Sequence, residues 1–142
     1  MVRCCRLRTK NALKELIVQG IQNEISNHEE IILAYIYGSF NRSLNFQDID
    51  LAIVTKDFSS GYKSFQYTAY LGRLLENSLV ERVEMDVRAI NNAPAPFQFE
   101  VIRTGRLIFE RDEAVRVAFE TEVLSTYLDY QSSWMWQASK SR

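Results

Sequence analysis

Apolar residues follow two different spacings along this chain, one typical of helices and the other of strands. Over residues 9–27 they recur every three or four positions, which predicts an amphipathic helix with these core positions: Leu13, Leu16, Ile17, Ile21 and Ile25. The same spacing predicts helices over 62–77 and 113–131, and it places these side chains of the former in the core: Phe65, Ala69, Leu74 and Leu75. A shorter helix is predicted over 96–103.

Strand spacing appears in further segments between these helices. The run IILAYIYG at 31–38 is continuously apolar and ends in glycine, which is typical of a buried strand. The run DIDLAIV at 48–54 begins with charged and apolar residues in alternation. Within 81–90 charged and apolar residues alternate from Arg82 to Ala89, which predicts a strand with one buried face, and RLIFERD at 106–112 predicts a short extended segment.

The order of these elements predicts the fold class. Helix, strand, strand, helix, strand, helix, extended segment and helix together indicate an α+β (mixed α/β) fold in which helices flank a small mixed β-sheet. With 142 residues, we expect one domain over 1–142, with its core at about 9–131 and a frayed tail at about 132–142.

Composition narrows the classes of function. A formal net charge of −1 lacks the basic excess of proteins that bind nucleic acids, so no direct nucleic-acid binding is expected. No stretch approaches the roughly 20 apolar residues of a membrane span. Cys4 and Cys5 are adjacent, and His28 is the only histidine, so neither a disulfide framework nor a Cys/His metal site is predicted. We therefore expect a cytoplasmic protein with reduced thiols.

Carboxylates on the predicted strands form the first candidate functional site. Asp48 and Asp50 flank Ile49, so on a strand they share one face. Asp86 lies on the polar face of a later strand, and Glu84 on that same face competes with it as a third acidic group. If the two strands are neighbours, the carboxylates converge and repel one another unless a cation lies between them. Such a group suits Mg²⁺, which prefers oxygen ligands.

The segment before these aspartates is a candidate phosphate-binding site. Gly38 ends an apolar strand, where the lack of a side chain lets the backbone approach a phosphate closely, and the Ser39 hydroxyl can hold phosphate oxygens. An isolated Gly-Ser pair or a single D-x-D is weak evidence for a phosphate or metal site. An apolar strand, Gly-Ser, a short loop, D-I-D on a second apolar strand and an aspartate on a later strand, in this order, are much more specific evidence. Arg42, in the following loop, either approaches the phosphates or is a solvated cation. Arg88 is more simply explained as a partner in an ion pair.

These residues carry a family resemblance. GSFNRSLNFQDIDLAIV resembles the signature of the nucleotidyltransferase superfamily with the DNA polymerase beta fold. With the later VEMDVRAI strand, the chain resembles the minimal nucleotidyltransferases (MNT), the antitoxins of HEPN/MNT toxin–antitoxin systems, over about residues 13–130. The eight residues between Ser39 and Asp48 form a shorter loop than the family's common pattern, which bears on how Arg42 meets the phosphates and leaves the strand register of Asp48 and Asp50 intact.

The resemblance implies roles for individual residues. Gly38 and Ser39 would bind the triphosphate of ATP, with Arg42 as a further candidate from the same loop. Asp48 and Asp50 would hold two Mg²⁺ ions, and Asp86 would bind one of them and help to activate the acceptor hydroxyl. The catalytic and metal-binding set is therefore expected to be Asp48, Asp50 and Asp86.

Three functions follow as hypotheses. The first is transfer of AMP from ATP to a tyrosine of a cognate HEPN RNase toxin, which would silence the toxin and make the chain a type VII-like antitoxin in a hetero-oligomer. The second is an antitoxin that acts by binding, with little or no catalysis, for which the apolar and aromatic segment VLSTYLDYQSSWMW is a possible docking surface. The third is a nucleotidyltransferase that modifies a small molecule.

Overall fold

A four-stranded β-sheet forms the centre of the fold. A computed structural model of the chain describes residues 2–140 apart from 44, 59 and 80, and the side chains of residues 2–8 and 139–140 lie outside that description, those of Cys4 and Cys5 among them. The strands are β1 (Ile31–Tyr37), β2 (Asp48–Thr55), β3 (Glu84–Ala89) and β4 (Arg106–Glu110). Their order in the sheet is β3-β2-β1-β4, so β3 and β4 are the edge strands.

The pairing of the strands is mixed. β1 runs antiparallel to both β2 and β4, and β2 runs parallel to β3. The helices are α1 (Val2–Ser26), α2 (Ser39–Arg42), α3 (Gly61–Ser78), α4 (Ala95–Thr104) and α5 (Glu113–Lys140). The predicted α+β class, with a small mixed sheet flanked by helices, is confirmed. No helix of the described residues is both long and apolar enough to span a bilayer.

The sheet buries an apolar layer on each of its faces. On one face, α1 and α3 pack through Ile21 and Leu71 against side chains such as Ile49 and Leu51. On the other face, α4 contributes Val101 to a smaller cluster with Leu33, Tyr35, Ala52, Val54 and Ile90. Alternate residues of β2 therefore belong to different layers, as the period of a strand requires.

Several predicted boundaries and core positions differ from the structure. α1 begins earlier than residue 9, and the single turn of α2 occupies a segment that we expected to be a loop. α5 continues to Lys140 instead of ending near 131, so the expected frayed tail is helical up to that residue. Leu16 and Phe65 are 60% and 69% exposed, and their assignment to the core is wrong.

The two wrong core positions have local explanations. Leu16 precedes the buried pair Ile17 and Val18, so it lies on the flank of the helix that turns away from the sheet. Phe65 lies on α3 beside the edge strand β3, where there is no further strand to cover it. Of the other predicted positions on α3, Leu75 is fully buried and Ala69 is partly buried.

Neighbouring residues on α1 provide a test of this packing. Ile17 is 2% exposed, so Ile17→Ala removes a buried side chain and should lower the free energy of unfolding by about 2–5 kcal/mol. Leu16→Ala, one position earlier, should change it by less than about 0.5 kcal/mol. Urea denaturation of both variants measures the difference, and equal losses would contradict the burial described here.

Candidate active site

The turn that follows β1 brings glycine directly against a carboxylate. Gly38 has φ 79° and ψ −153°, a region of backbone conformation that is essentially restricted to glycine. A Cβ atom at this position would lie 2.4 Å from Oδ2 of Asp50. Two independent requirements therefore select glycine here, and the contact places the Gly-Ser turn beside the D-x-D strand.

Side-chain hydrogen bonds hold the single turn of α2 against the sheet. Nδ2 of Asn41 donates to the carbonyl oxygen of Ile36 at 2.6 Å, which ties the turn to the end of β1. Within the turn, the Ser43 N–H donates to the Ser39 carbonyl oxygen at 2.9 Å. Ser39 itself is exposed at the start of the turn, so its hydroxyl is accessible from solvent.

Lys14 on α1 is a further anchor for this turn. Its Nζ donates to the carbonyl oxygens of Phe40 and Ser43. The same ammonium lies 4.8 Å from the ring centroid of Phe40 and 5.5 Å from that of Phe46, within the range of cation–π attraction. Burial lowers the pKa of Lys14. Sequence reasoning missed this residue, because a lysine on an amphipathic helix ordinarily indicates a solvated position.

The parallel pairing of β2 with β3 brings the acidic residues to one face of the sheet. Asp50 is the register partner of Asp86, and Asp48 is the partner of Glu84. Ile49 lies between the two β2 aspartates and packs into the core on the opposite face. The two strands are therefore neighbours, which is the condition for the carboxylates to converge, and the register places Asp86 rather than Glu84 opposite Asp50.

The acidic residues perturb one another electrostatically. Burial raises the pKa of Asp50, and the charges of Asp48 and Asp86 raise it further, while Arg88 acts in the opposite direction. A bound cation relieves this kind of repulsion, and carboxylate oxygens are the donors that Mg²⁺ prefers. In its chemistry, the donor set of Asp48, Asp50 and Asp86 therefore fits a divalent cation.

Asp86 has a protein partner, however. Its Oδ2 lies 3.3 Å from Nη2 of Arg88, and both side chains are substantially exposed. Among the described residues, no three Asp, Glu, His or Cys side chains are gathered closely enough to form a metal site. Arg88 thus engages one oxygen of Asp86, and a cation held by Asp48 and Asp50 would take the other oxygen, Oδ1, or displace this exposed pair.

Tyr37 borders the acidic face. It is the register partner of Asp50 on β1, and its ring packs edge-on against Phe97 of α4 with 5.7 Å between the ring centroids. Burial, opposed by Arg88 and reinforced by Asp50, raises the pKa of Tyr37 to about 12. Its hydroxyl therefore stays protonated at neutral pH and can donate a hydrogen bond beside the carboxylates.

The structure brings most of the predicted residues together. Gly38 contacts Asp50, Ser39 follows directly, and the aspartates share a face with one another. Arg42 is exposed at the last position of α2, and no contact in the described part of the chain links it to the aspartates. Its approach to phosphates stays a prediction.

Comparison with known proteins identifies the family of this chain and solved structures with a similar fold. The family model "Polymerase beta, Nucleotidyltransferase" matches residues 19–114. No curated protein matches the chain in sequence.

Solved structures similar to this chain include chains from toxin–antitoxin complexes. One comes from a tri-AMPylated Shewanella oneidensis HEPN toxin in complex with MNT antitoxin, with 19% identity, coverage of 87% of this chain and 97% of that one, and a TM-score of 0.62. Another comes from a toxin–antitoxin structure with AMP-PNP, with 17% identity, coverage of 89% and 96%, and a TM-score of 0.64. A third, from the MntA-HepT toxin–antitoxin, has 16% identity, coverage of 92% and 97%, and a TM-score of 0.61.

Substitution of Gly38 tests the contact at the centre of the site. Gly38→Ala imposes a disfavoured backbone conformation and a clash with Asp50, so it should lower the free energy of unfolding by about 1–3 kcal/mol. Gly61→Ala is the matched control, because a Cβ there meets nothing within 4 Å. Thermal and urea denaturation measure both variants, and a neutral Gly38→Ala would refute the described turn.

Removal of the Lys14 ammonium tests the anchor of α2. Lys14→Met leaves the carbonyl groups of Phe40 and Ser43 without their charged donor, so stability should fall by about 1–3 kcal/mol. The Ser43 amide should also exchange its hydrogen faster, since the turn that it closes is less well held. Lys63→Met, at an exposed position of α3, should leave both measurements unchanged.

Proposed function

Because this chain belongs to the polymerase beta nucleotidyltransferase family, we propose that it is an Mg²⁺-dependent nucleotidyltransferase which transfers AMP from ATP to a hydroxyl group. The observation that carries this proposal is the packing of Gly38 on Asp50. This contact places a turn that can hold phosphate beside an acidic face that can hold a cation. Nucleotidyl transfer requires both a phosphate-binding element and a metal-binding element.

The proposed reaction is an in-line displacement at the α-phosphorus of ATP. The acceptor oxygen forms a bond to this phosphorus, the bond to the bridging oxygen breaks, and pyrophosphate leaves with the bonding electron pair. Asp86 takes the proton of the acceptor hydroxyl, while Gly38 and Ser39 hold the triphosphate, with Arg42 as a further candidate. Two Mg²⁺ ions bound by Asp48, Asp50 and Asp86 would supply charge neutralisation for the nucleophile and the leaving group.

The acceptor in this proposal is a tyrosine of a HEPN RNase toxin, and the chain acts as its antitoxin. Support comes from the similar fold of chains in complexes that contain a tri-AMPylated HEPN toxin or AMP-PNP. A protein partner is also supported by the end of α5, where Leu128, Tyr130, Trp134 and Met135 are each at least half exposed. Aromatic residues and methionine of this kind are enriched at surfaces that bind proteins.

A second candidate is an antitoxin that acts through binding with little catalysis. The pairing of Asp86 with Arg88 favours it, because a carboxylate held by a guanidinium is less available to a cation or a proton. The two candidates differ in one observable, which is covalent modification of the partner.

Intact mass spectrometry of the partner toxin tests the proposal. Incubation of the toxin with this protein, ATP and Mg²⁺ should add whole AMP residues to the toxin and release pyrophosphate. Asp48→Asn and Asp50→Asn should slow this transfer by at least about 100-fold, because each removes charge that stabilises the transition state. Asp57→Asn, at an exposed position outside the acidic face, is the matched control and should be fully active.

The same experiment separates the alternatives. A stable complex with no change in mass and no pyrophosphate would replace the enzyme proposal with the binding-only antitoxin. Omission of Mg²⁺ or addition of EDTA should abolish transfer while leaving complex formation intact. Full activity in both aspartate variants would rule out the proposed site.

A further inference from the structure

The outer edge of β3 carries backbone groups that no other strand pairs. The N–H groups of Glu84 and Ile90 donate to carbonyl oxygens of Gln47 and Ile53, at the two ends of the register with β2. Even-numbered residues of this strand therefore direct their N–H and C=O groups toward β2, and the odd-numbered Met85, Val87 and Ala89 direct theirs outward. Since β3 is an edge strand, these outward groups face no strand of this sheet.

Helix α3 covers only the first part of this edge. The Met85 N–H donates to Oε1 of Glu76 at 2.9 Å, so its outward donor is satisfied by the helix. The helix lies against the strand here, since a Cβ at Gly72 would be in van der Waals contact with the carbonyl oxygen of Met85, at 3.4 Å. No hydrogen bond within the described residues satisfies the outward N–H and C=O groups of Val87 and Ala89. Two donors and two acceptors of this edge therefore have no partner among the residues that the structure describes.

The open part of the edge borders a groove that leads to the candidate site. The groove has a volume of about 610 Å³ and runs between α3 and β3. Gly61, Ser64 and Phe65 line the helix side, and Phe65 is 69% exposed. Asp86 and Arg88 line the strand side. The groove thus connects an unpaired strand edge, an exposed aromatic ring and the carboxylate proposed to receive the acceptor proton.

We propose that an extended segment of the acceptor polypeptide docks in this groove as an additional strand on the free edge of β3. Backbone hydrogen bonds to Val87 and Ala89 would hold the segment, and Phe65 would contact one of its side chains. Side chains at paired positions of adjacent strands lie on the same face, so a residue level with Asp86 would project toward the acidic face. This inference rests on the proposed function and specifies how its acceptor is presented.

The choice of an extended polypeptide as occupant follows from the chemistry of the groove. Alternating N–H and C=O groups at strand spacing are complementary to another extended backbone, whereas a small molecule has no such repeat. The covered first half of the edge limits the docked segment to the end that lies beside Asp86 and Arg88. The docked strand would therefore end close to the reacting groups.

Filling the groove should weaken recognition of the acceptor without affecting the nucleotide. Gly61→Trp introduces a large side chain at the groove wall, and the backbone at Gly61 accepts a Cβ without contact. With the HEPN-type toxin as substrate, we expect the KM for the toxin to rise by about tenfold, while the KM for ATP changes by less than about twofold. Leu16→Trp, on the exposed flank of α1, is the control and should leave both values unchanged.

Hydrogen exchange gives a second readout that does not depend on catalysis. In the complex of the unaltered protein with the toxin, the amides of Val87 and Ala89 should exchange at least about tenfold more slowly than in the free protein. Val87→Pro removes one outward donor without removing a bond to β2, and it should reduce toxin modification as Gly61→Trp does.

The outcomes separate this inference from the proposed function. Modification of the toxin at unchanged rates by both variants, or no protection of the two amides in the complex, would overturn the docking site. Absence of AMP transfer by the unaltered protein would instead overturn the proposed function, and the exchange measurement would still decide whether the edge of β3 binds the partner.

Discussion

The parallel register between β2 and β3 is the constraint on which the candidate site depends. It places Asp50 opposite Asp86, and it simultaneously places Ile49 opposite Met85 on the buried face. Because side chains alternate along a strand, a slip of one residue would exchange these two sets and bury the carboxylates. Burial of the apolar side chains therefore specifies the register, and this register in turn fixes which carboxylates lie opposite each other.

Comparison of magnitudes explains why this arrangement holds despite the repulsion between the carboxylates. Two like charges about 4 Å apart cost about 1 kcal/mol in water and about 4 kcal/mol near a protein surface. Full burial of one aliphatic side chain contributes about 1.5–3 kcal/mol, and Ile49, Leu51 and Met85 all lie buried on the opposite face. The core thus outweighs the repulsion, which adds to the effect of burial in raising the pKa of Asp50.

The sequence was sufficient to predict those features that follow from local alternation, and insufficient for those that depend on distant contacts. The spacing of Asp48 and Asp50 predicted a shared face, and the position of Gly38 after an apolar strand predicted an open turn. Whether Asp86 or Glu84 lies opposite Asp50 depends on the register of two strands separated by a helix, which no local pattern contains. The same applies to the core: alternation identified the strands, but it could not show which flank of a helix meets the sheet.

Lys14 illustrates this limit most clearly. It is 26 residues from Phe40, whose carbonyl group it binds, and its apolar partners are aromatic rings of α2 and of the loop after it rather than neighbours on its own helix. The single turn of α2 was missed for a related reason. A helix of four residues cannot offset the cost of nucleation by itself, so its existence depends on anchors such as Lys14 and Asn41.

Each edge of the sheet is covered in part by a neighbouring helix. At β4, Arg106 pairs with Glu15 of α1 at 2.8 Å, and Gln22 donates to the carbonyl oxygen of Ile108 at 2.8 Å. Charged residues and covering helices are common means by which proteins prevent pairing at sheet edges. At β3 the equivalent cover stops at Met85, immediately before the residue level with Asp50. The part of β3 beyond this cover therefore begins beside the acidic face, where an incoming backbone could pair with it.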